Sequence, residues 1–324
     1  MNRNSIARKT VATTLLLVAC VAPNSVHAGY VYWHEKADSG GNDAFMRKDL
    51  EGSGSAEVVY SFSGEPKGFD VDANYLYYGA GRFVKRVDLD GTNETTLVDN
   101  LPQQIRGLAV DEGEVYFIDI NYFKKWDGTS VTTLANLSGN TKSIGVNSTS
   151  AFIGTDQTGS RTISRYNKST GNLEGSFAMG SSAHLEYDGI DADETYVYGL
   201  TNQLERWNLD GTNKTVLDST TGPVPKNKAL AYVVEGGNSY LYYVEYGGTQ
   251  INLIKNGGSP TLFHTAVGTN GLIKGLATYG AGSGAPEPAE TFAFLGLLTA
   301  CCLGFRQWRQ GRVDGHAALR GASK

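Results

Sequence analysis

Along most of its length the chain alternates short apolar runs, rich in tyrosine, valine and isoleucine, with polar turns rich in glycine, asparagine and aspartate. Segments with a two-residue period, bounded by turn formers and lacking a 3.6-residue apolar stripe, predict short β-strands. One strand type recurs six times: Val31-Tyr32-Trp33, Leu76-Tyr77-Tyr78, Val115-Tyr116-Phe117, Ala151-Phe152-Ile153, Val197-Tyr198-Gly199 and Leu241-Tyr242-Tyr243. The central residues lie 45, 39, 36, 46 and 44 positions apart. A second strand type stands ahead of the last five copies, at 68–72, 107–111, 143–147, 189–193 and 229–233. Its sixth copy, 275–279, has no aromatic strand after it, while the first aromatic strand has none before it.

Repeats of this length, filled with short strands, predict four-stranded propeller blades. The two unmatched strands fit together if 275–279 completes the blade begun at Tyr30, which closes the ring and removes its exposed edges. The expected fold class is therefore all-β, a six-bladed β-propeller closed by pairing the C-terminal inner strand with the N-terminal blade, plus a C-terminal membrane helix. Two repeats end in the strongest turn signal, Val84-Lys-Arg-Val-Asp-Leu-Asp-Gly-Thr-Asn93 and Leu204-Glu-Arg-Trp-Asn-Leu-Asp-Gly-Thr-Asn213, with a weaker copy at Trp126-Asp-Gly-Thr129. In Asp-Gly-Thr the glycine takes the positive φ that a side chain resists. These segments resemble the YWTD repeats of low-density-lipoprotein-receptor-type (class B) six-bladed propellers, across nearly all of residues 29–280. The resemblance implies the fold and leaves function open, since this architecture hosts receptors, lactonases, lyases and adhesins.

The two ends carry addresses. Arg3, Arg8 and Lys9 precede an apolar stretch from Val11 to Ala22, and Val26-His27-Ala28 offers small residues where a signal peptidase cuts. A lipoprotein reading stays open, because Leu17-Val18-Ala19-Cys20 would allow lipidation at Cys20. At the other end, Pro286-Glu287-Pro288 is followed by an apolar run from Phe292 to Phe305 and then by Arg306, Arg309 and Arg312. Taken from Ala289, the run is 17 residues, as a helix about 25 Å against a hydrocarbon core of about 30 Å. This order resembles the PEP-CTERM sorting signal. That resemblance implies an exosortase-type transpeptidase as partner beside signal peptidase, and a precursor anchored in the inner membrane before delivery to the cell surface or extracellular matrix. A plain C-terminal anchor is the alternative. The expected organisation is a signal peptide (1–28), the propeller (29–280), a flexible linker with the Pro-Glu-Pro motif (281–288), a transmembrane sorting segment with its arginines (289–309) and a polar cytoplasmic tail (310–324).

Charge and cysteine usage narrow the partners. The chain carries −5 overall; the first 28 residues contribute +3 and those after Pro288 another +3, so residues 29–288 carry −11. An acidic exported domain is poorly suited to nucleic acid. With Cys20 removed, the cysteines left are Cys301 and Cys302 in the tail, so the domain relies on packing rather than disulfides.

Candidate chemistry concentrates just ahead of the inner strands, at Lys67, Arg106, Lys142, Asp188, Lys228 and Lys274. Inner strands line the central channel, so these side chains should ring one of its mouths. Like charges roughly 8 Å apart repel by about 2 kcal/mol at an effective dielectric near 20, which a bound anion or Asp188 would relieve. The alternative is that they snorkel outward or brace a neighbouring blade. The tyrosines of two dense clusters, Tyr75, Tyr77 and Tyr78 and Tyr240, Tyr242 and Tyr243, are expected to turn half their rings outward, where they would stack on sugars. His34, His184 and His264 lack metal-ligand spacing, and Asp70, Asp72, Asp111 and Asp193 are expected to serve turns rather than a metal. No nucleophile elbow or phosphate loop is present, so no catalytic residue, cofactor or metal is assigned. The expected function is a non-catalytic binding or scaffold protein of the cell envelope or exopolysaccharide matrix, with acidic exopolysaccharide as candidate partner. The rival is a metal-dependent, lactonase-like hydrolase or lyase.

Overall fold

A computed structural model of the chain describes residues 29–36, 42–157, 160–179, 189–200, 203–219, 229–244, 248–266 and 272–279. They form six antiparallel sheets of four strands. In order from the inner to the outer strand, blade 1 is Leu272–Tyr279, Tyr30–Lys36, Asp43–Asp49 and Glu57–Phe62. Blade 2 is Phe69–Val71, Tyr75–Ala80, Phe83–Asp88 and Thr95–Val98, and blade 3 is Ile105–Asp111, Glu114–Asp119, Tyr122–Trp126 and Val131–Asn136. Blade 4 is Asn140–Val146, Ser150–Gln157, Ser160–Asn167 and Leu173–Met179. Blade 5 is Ile190–Ala192, Tyr196–Leu200, Leu204–Asn208 and Thr215–Asp218, and blade 6 is Leu230–Glu235, Asn238–Val244, Gln250–Lys255 and Thr261–Thr265.

The ring closes as the unmatched strands require. Leu272–Tyr279 pairs antiparallel with Tyr30–Lys36, with Tyr30 opposite Tyr279 and Trp33 opposite Leu276. Neighbouring inner strands touch in the sequence 1-2-3-4-5-6 and back to 1, which sets blade 2 opposite blade 5 across the channel. The core is divided into inter-blade layers, such as the one where Tyr32, Phe45 and Ala277 of blade 1 meet Phe69, Leu76 and Tyr78 of blade 2.

That layering corrects the reading of the tyrosines. Tyr77, Tyr78, Tyr240, Tyr242 and Tyr243 are buried and Tyr75 is half-buried, so no ring of either cluster stands on the outside. A strand in the middle of a blade has a neighbouring blade on both faces, and alternation there chooses between two interiors. The hydroxyls of the five buried rings are all partnered: Tyr77 donates to Asp72 at 2.8 Å, Tyr242 to the Leu50 carbonyl at 2.6 Å, Tyr240 to Glu51 at 2.6 Å, Tyr78 to Glu94 and Tyr243 to Asp218. Left unpaired, a buried hydroxyl costs about 1–3 kcal/mol.

Two of the three Asp-Gly-Thr turns do more than reverse the chain, while the third, at Gly128, stands in open space. Gly91 and Gly211 have φ of +82° and +83°, and each lies against the outer strand of the preceding blade. A Cβ on Gly91 would come within 2.0 Å of the Val59 carbonyl oxygen, and one on Gly211 within 2.3 Å of the Phe177 ring. Each of these two turns thus seals the edge of the preceding blade.

Candidate functional site

The inner strands run in one direction along the channel, so the residues preceding them share one end. A β-bulge governs how each described basic side chain leaves its strand. Ile105 faces Asp119 and Gly107 faces Ile118, which leaves Arg106 as the extra residue. The same skip occurs at Lys142, between Thr141 and Ser143, and at Lys274, between Ile273 and Gly275. At the fourth position Lys67 and Gly68 both face Gly79, through Lys67 N–H to Gly79 at 2.9 Å and Gly79 N–H to Gly68 at 3.0 Å. A bulged residue escapes the strict alternation of the strand, so its side chain is re-aimed.

Lys67 of blade 2 and Lys274 of blade 1 converge on one carboxylate, Glu65, in the connection between those blades. Lys67 Nζ lies 2.9 Å from Glu65 Oε2, and Lys274 Nζ pairs with Oε1. Partial burial raises the Glu65 carboxyl, but hydrogen bonds and charge from Lys274 and Lys67 outweigh it and hold it down at about 2. Arg106 donates to the Asn140 side chain of blade 4. Lys142 makes no ion pair among the described residues. Asp188, Lys228 and the sorting residues Pro286, Glu287, Pro288, Arg306 and Arg309 lie outside the described residues. Sequence reading placed the basic residues at a recurrent position and missed Glu65, which lies in a loop and belongs to no repeat.

Inside the channel the lining is mostly apolar, with Tyr232 and Thr278 among it, and carboxylates enter at two points. Phe69 to Val71, Leu108 to Val110 and the equivalent triplets of the other blades enclose a cavity of about 180 Å³, into which Asp70 and Asp191 bring carboxylates. Asp70 Oδ1 accepts the N–H of Val71 at 2.8 Å and Oδ2 that of Val110 in blade 3 at 2.7 Å. Asp191 does the same with Ala192 at 2.8 Å and with Tyr232 of blade 6 at 2.7 Å. Asp70 therefore lines the channel instead of closing a strand. The shared pattern Gly68-Phe-Asp-Val-Asp72 and Gly189-Ile-Asp-Ala-Asp193 is the sequence signal that marks this pair.

The second aspartate of each pattern serves its turn, as expected. Asp72 Oδ1 accepts N–H from Asn74 and Tyr75, both at 2.8 Å, and Asp193 Oδ1 accepts from Thr195 and Tyr196, both at 2.6 Å. Asp111 pairs with Lys168. His34 is buried with Nε2 3.1 Å from Asp43 Oδ2; burial pulls it down to about 4 although Asp43 opposes, so the ring is neutral near pH 7. His264 lies against Trp33 with ring centroids 4.5 Å apart, and His184 is outside the described residues. Among the described residues no group of three or more His, Cys, Asp or Glu is placed to hold a metal ion.

The fold has relatives of known structure. A chain of a nidogen/laminin complex superposes with a TM-score of 0.60 at 15% identity, over 77% of this chain and 98% of its own. TolB from Acinetobacter baumannii gives 0.52 at 12% identity, over 78% of this chain and 67% of its own. A protein of unknown function from Bacteroides caccae gives 0.53 at 12% identity, over 78% and 98%. No protein-family model and no curated protein matches the chain. At such identities the likeness shows a six-bladed propeller of the same kind and leaves the job of each protein its own.

Proposed function

We propose that the chain is an exported propeller acting as a non-catalytic binding or scaffold module of the cell envelope or exopolysaccharide matrix, with an anion site at the basic mouth. The observation that supports it is the gathering of Lys67 and Lys274, from adjacent blades, on the single carboxylate of Glu65. Glu65 acts there as an internal counter-ion, the place a ligand anion would take. Arg106 and Lys142 stand at the equivalent bulges of the next two blades. Exposed charge contacts of this kind bind weakly and are screened over about 8 Å at physiological ionic strength.

The test is titration of the full chain with tripolyphosphate at several salt concentrations. Weak binding that falls as salt rises, and that drops several-fold in an Arg106→Ala/Lys142→Ala variant with unchanged melting, is the expected result. Salt-independent binding that survives the double substitution sinks the reading of the mouth. For the sorting half, the mature C-terminus is located by mass spectrometry of the native protein. Substitution of Glu287 and Pro288 is expected to leave the precursor unprocessed in the membrane, and an unchanged mature mass and location would reduce the tail to a plain anchor.

A further inference from the structure

Glu65 has a second side. It also lines a cleft of about 560 Å³ between blades 1 and 2, walled by Tyr60, Phe62, Tyr78, Lys85 and Glu94. That volume falls within the roughly 300–1,000 Å³ typical of small-molecule sites. The outer strand of blade 1, Glu57–Phe62, sets Tyr60 and Phe62 two residues apart and hence on one face. The rings form a ledge: Tyr60 and Phe62 have centroids 6.2 Å apart with planes at 23°, and Phe62 and Tyr78 are 6.1 Å apart at 27°. No other outer strand of the six has two aromatic residues at alternate positions.

Packing accounts for only part of this arrangement. Phe62 rests on Phe45, 4.6 Å between centroids, and Tyr78 is buried beneath, but Tyr60 and Phe62 are only half-buried and front the cleft. The polar wall is held rigid by Glu94. Its carboxylate accepts both the Tyr60 and the Tyr78 hydroxyl and pairs with Lys85 Nζ at 2.6 Å.

The chemistry selects the class of ligand. A cage for a cation needs ring faces meeting from several sides and negative charge to spare. Here Phe62 lies nearly parallel to Tyr60 and to Tyr78, those two are tilted by 45° to one another, Glu94 is neutralised by Lys85, and Glu65 by Lys67 and Lys274. The cleft's own lining carries Lys85 against Glu65 and Glu94, and a positive excess arises only with Lys67 and Lys274, which pair with Glu65 from outside the lining. A flat apolar ledge beside fixed hydrogen-bonding groups suits the C–H face and hydroxyls of a pyranose, and the positive excess suits a sugar acid.

We infer that the cleft between blades 1 and 2 is a subsite for an acidic saccharide, whose ring lies on Tyr60 and Phe62 and whose carboxylate is drawn towards Lys67 and Lys274 past Glu65. The inference rests on the anion reading of the mouth and adds to it the sugar and the ledge.

The experiment is calorimetric titration of the full chain with trigalacturonate, with maltotriose as neutral comparator and tetramethylammonium as cationic comparator. Trigalacturonate is expected to bind more tightly than maltotriose. Tyr60→Ala is expected to weaken it about fivefold to tenfold, the loss of one stacked ring, while Tyr60→Phe keeps most of the affinity and guards against a folding effect. Lys67→Ala/Lys274→Ala is expected to erase the preference for the acidic sugar. Binding that is unchanged in Tyr60→Ala yet lost in the lysine variant overturns the cleft and keeps the mouth. Loss in Tyr60→Ala with indifference to the lysines overturns the acidic assignment and the mouth reading with it. Tighter binding of tetramethylammonium, or no binding of either sugar, overturns the subsite.

Discussion

Asp70 and Asp191 occupy the same position of the inner strand in two opposed blades, and each fastens its own strand to the inner strand of the next blade through backbone N–H groups. The propeller is thus clasped twice from within the channel, between blades 2 and 3 and between blades 5 and 6.

The clasps predict a pH dependence of stability. Burial pushes the Asp70 carboxyl up to about 8, with the facing charge of Asp191 adding to it and the Val110 and Val71 N–H groups opposing. Burial pushes Asp191 up to about 7 against the pull of Tyr232 and Ala192. A carboxyl raised in the folded state contributes stability that is fully present below the unfolded value of about 4 and is lost as pH rises through 7 to 8. His34, drawn down to about 4 from 6.5, acts oppositely, but only below 6.5. Between pH 6.5 and 9 the melting temperature is therefore expected to fall, and to fall less steeply in an Asp70→Asn/Asp191→Asn variant. A flat or rising profile in that window would count against the clasps as titrating groups.

The turn glycines predict a contrast between two substitutions. Gly91→Ala forces a side chain into φ of +82° and sets its Cβ 2.0 Å from the Val59 carbonyl oxygen, so backbone of two blades must part. Gly81→Ala has φ of +62° and open space around it, leaving only the backbone strain, about 1 kcal/mol. Urea denaturation is expected to show the first variant destabilised by at least about 2 kcal/mol more than the second. Equal losses would mean that blade 2 does not seal the edge of blade 1.

Ring closure is tested at Ile273, fully buried in the inner strand that joins the two ends of the propeller. Ile273→Ala is expected to cost about 2–5 kcal/mol and to lower a single cooperative transition, because blades 6 and 1 share that layer. A separate early transition with the rest unmoved would show that blade 1 melts alone and that the ring gains little from its closure.

The fold was legible because it repeats. Six copies of an aromatic strand, with the unmatched 275–279 at one end and Tyr30 at the other, suffice to imply blade number and closure without any contact being known. The tyrosines were misread for a physical reason: alternation tells which two faces a strand has, and it does not tell that both faces of a middle strand are covered. The basic positions were visible as a recurrence, but their aim depends on bulges at Arg106, Lys142 and Lys274, where two residues oppose one and the period of two fails. Glu65, Tyr60 and Phe62 belong to a single connection and a single outer strand, and a reading built on recurrence passes over what occurs once.

Glu65 offers the sharpest separation of a structural from a binding role at the mouth. As the shared partner of Lys67 and Lys274 it removes mutual repulsion between them, and its carboxyl, held down at about 2, stays charged throughout the neutral range. Glu65→Gln keeps the shape and hydrogen-bonding reach of the side chain but takes away the charge, so the two lysines lose their internal counter-ion. A ligand anion then no longer competes with a tethered one. Affinity for tripolyphosphate is expected to rise several-fold, with a steeper loss as salt increases, since more net charge is screened. The melting temperature at low salt is expected to fall slightly and to recover when tripolyphosphate is added, because a ligand that binds only the folded state stabilises it. Unaltered affinity together with a lowered melting temperature would make Glu65 a brace between blades 1 and 2 and nothing more.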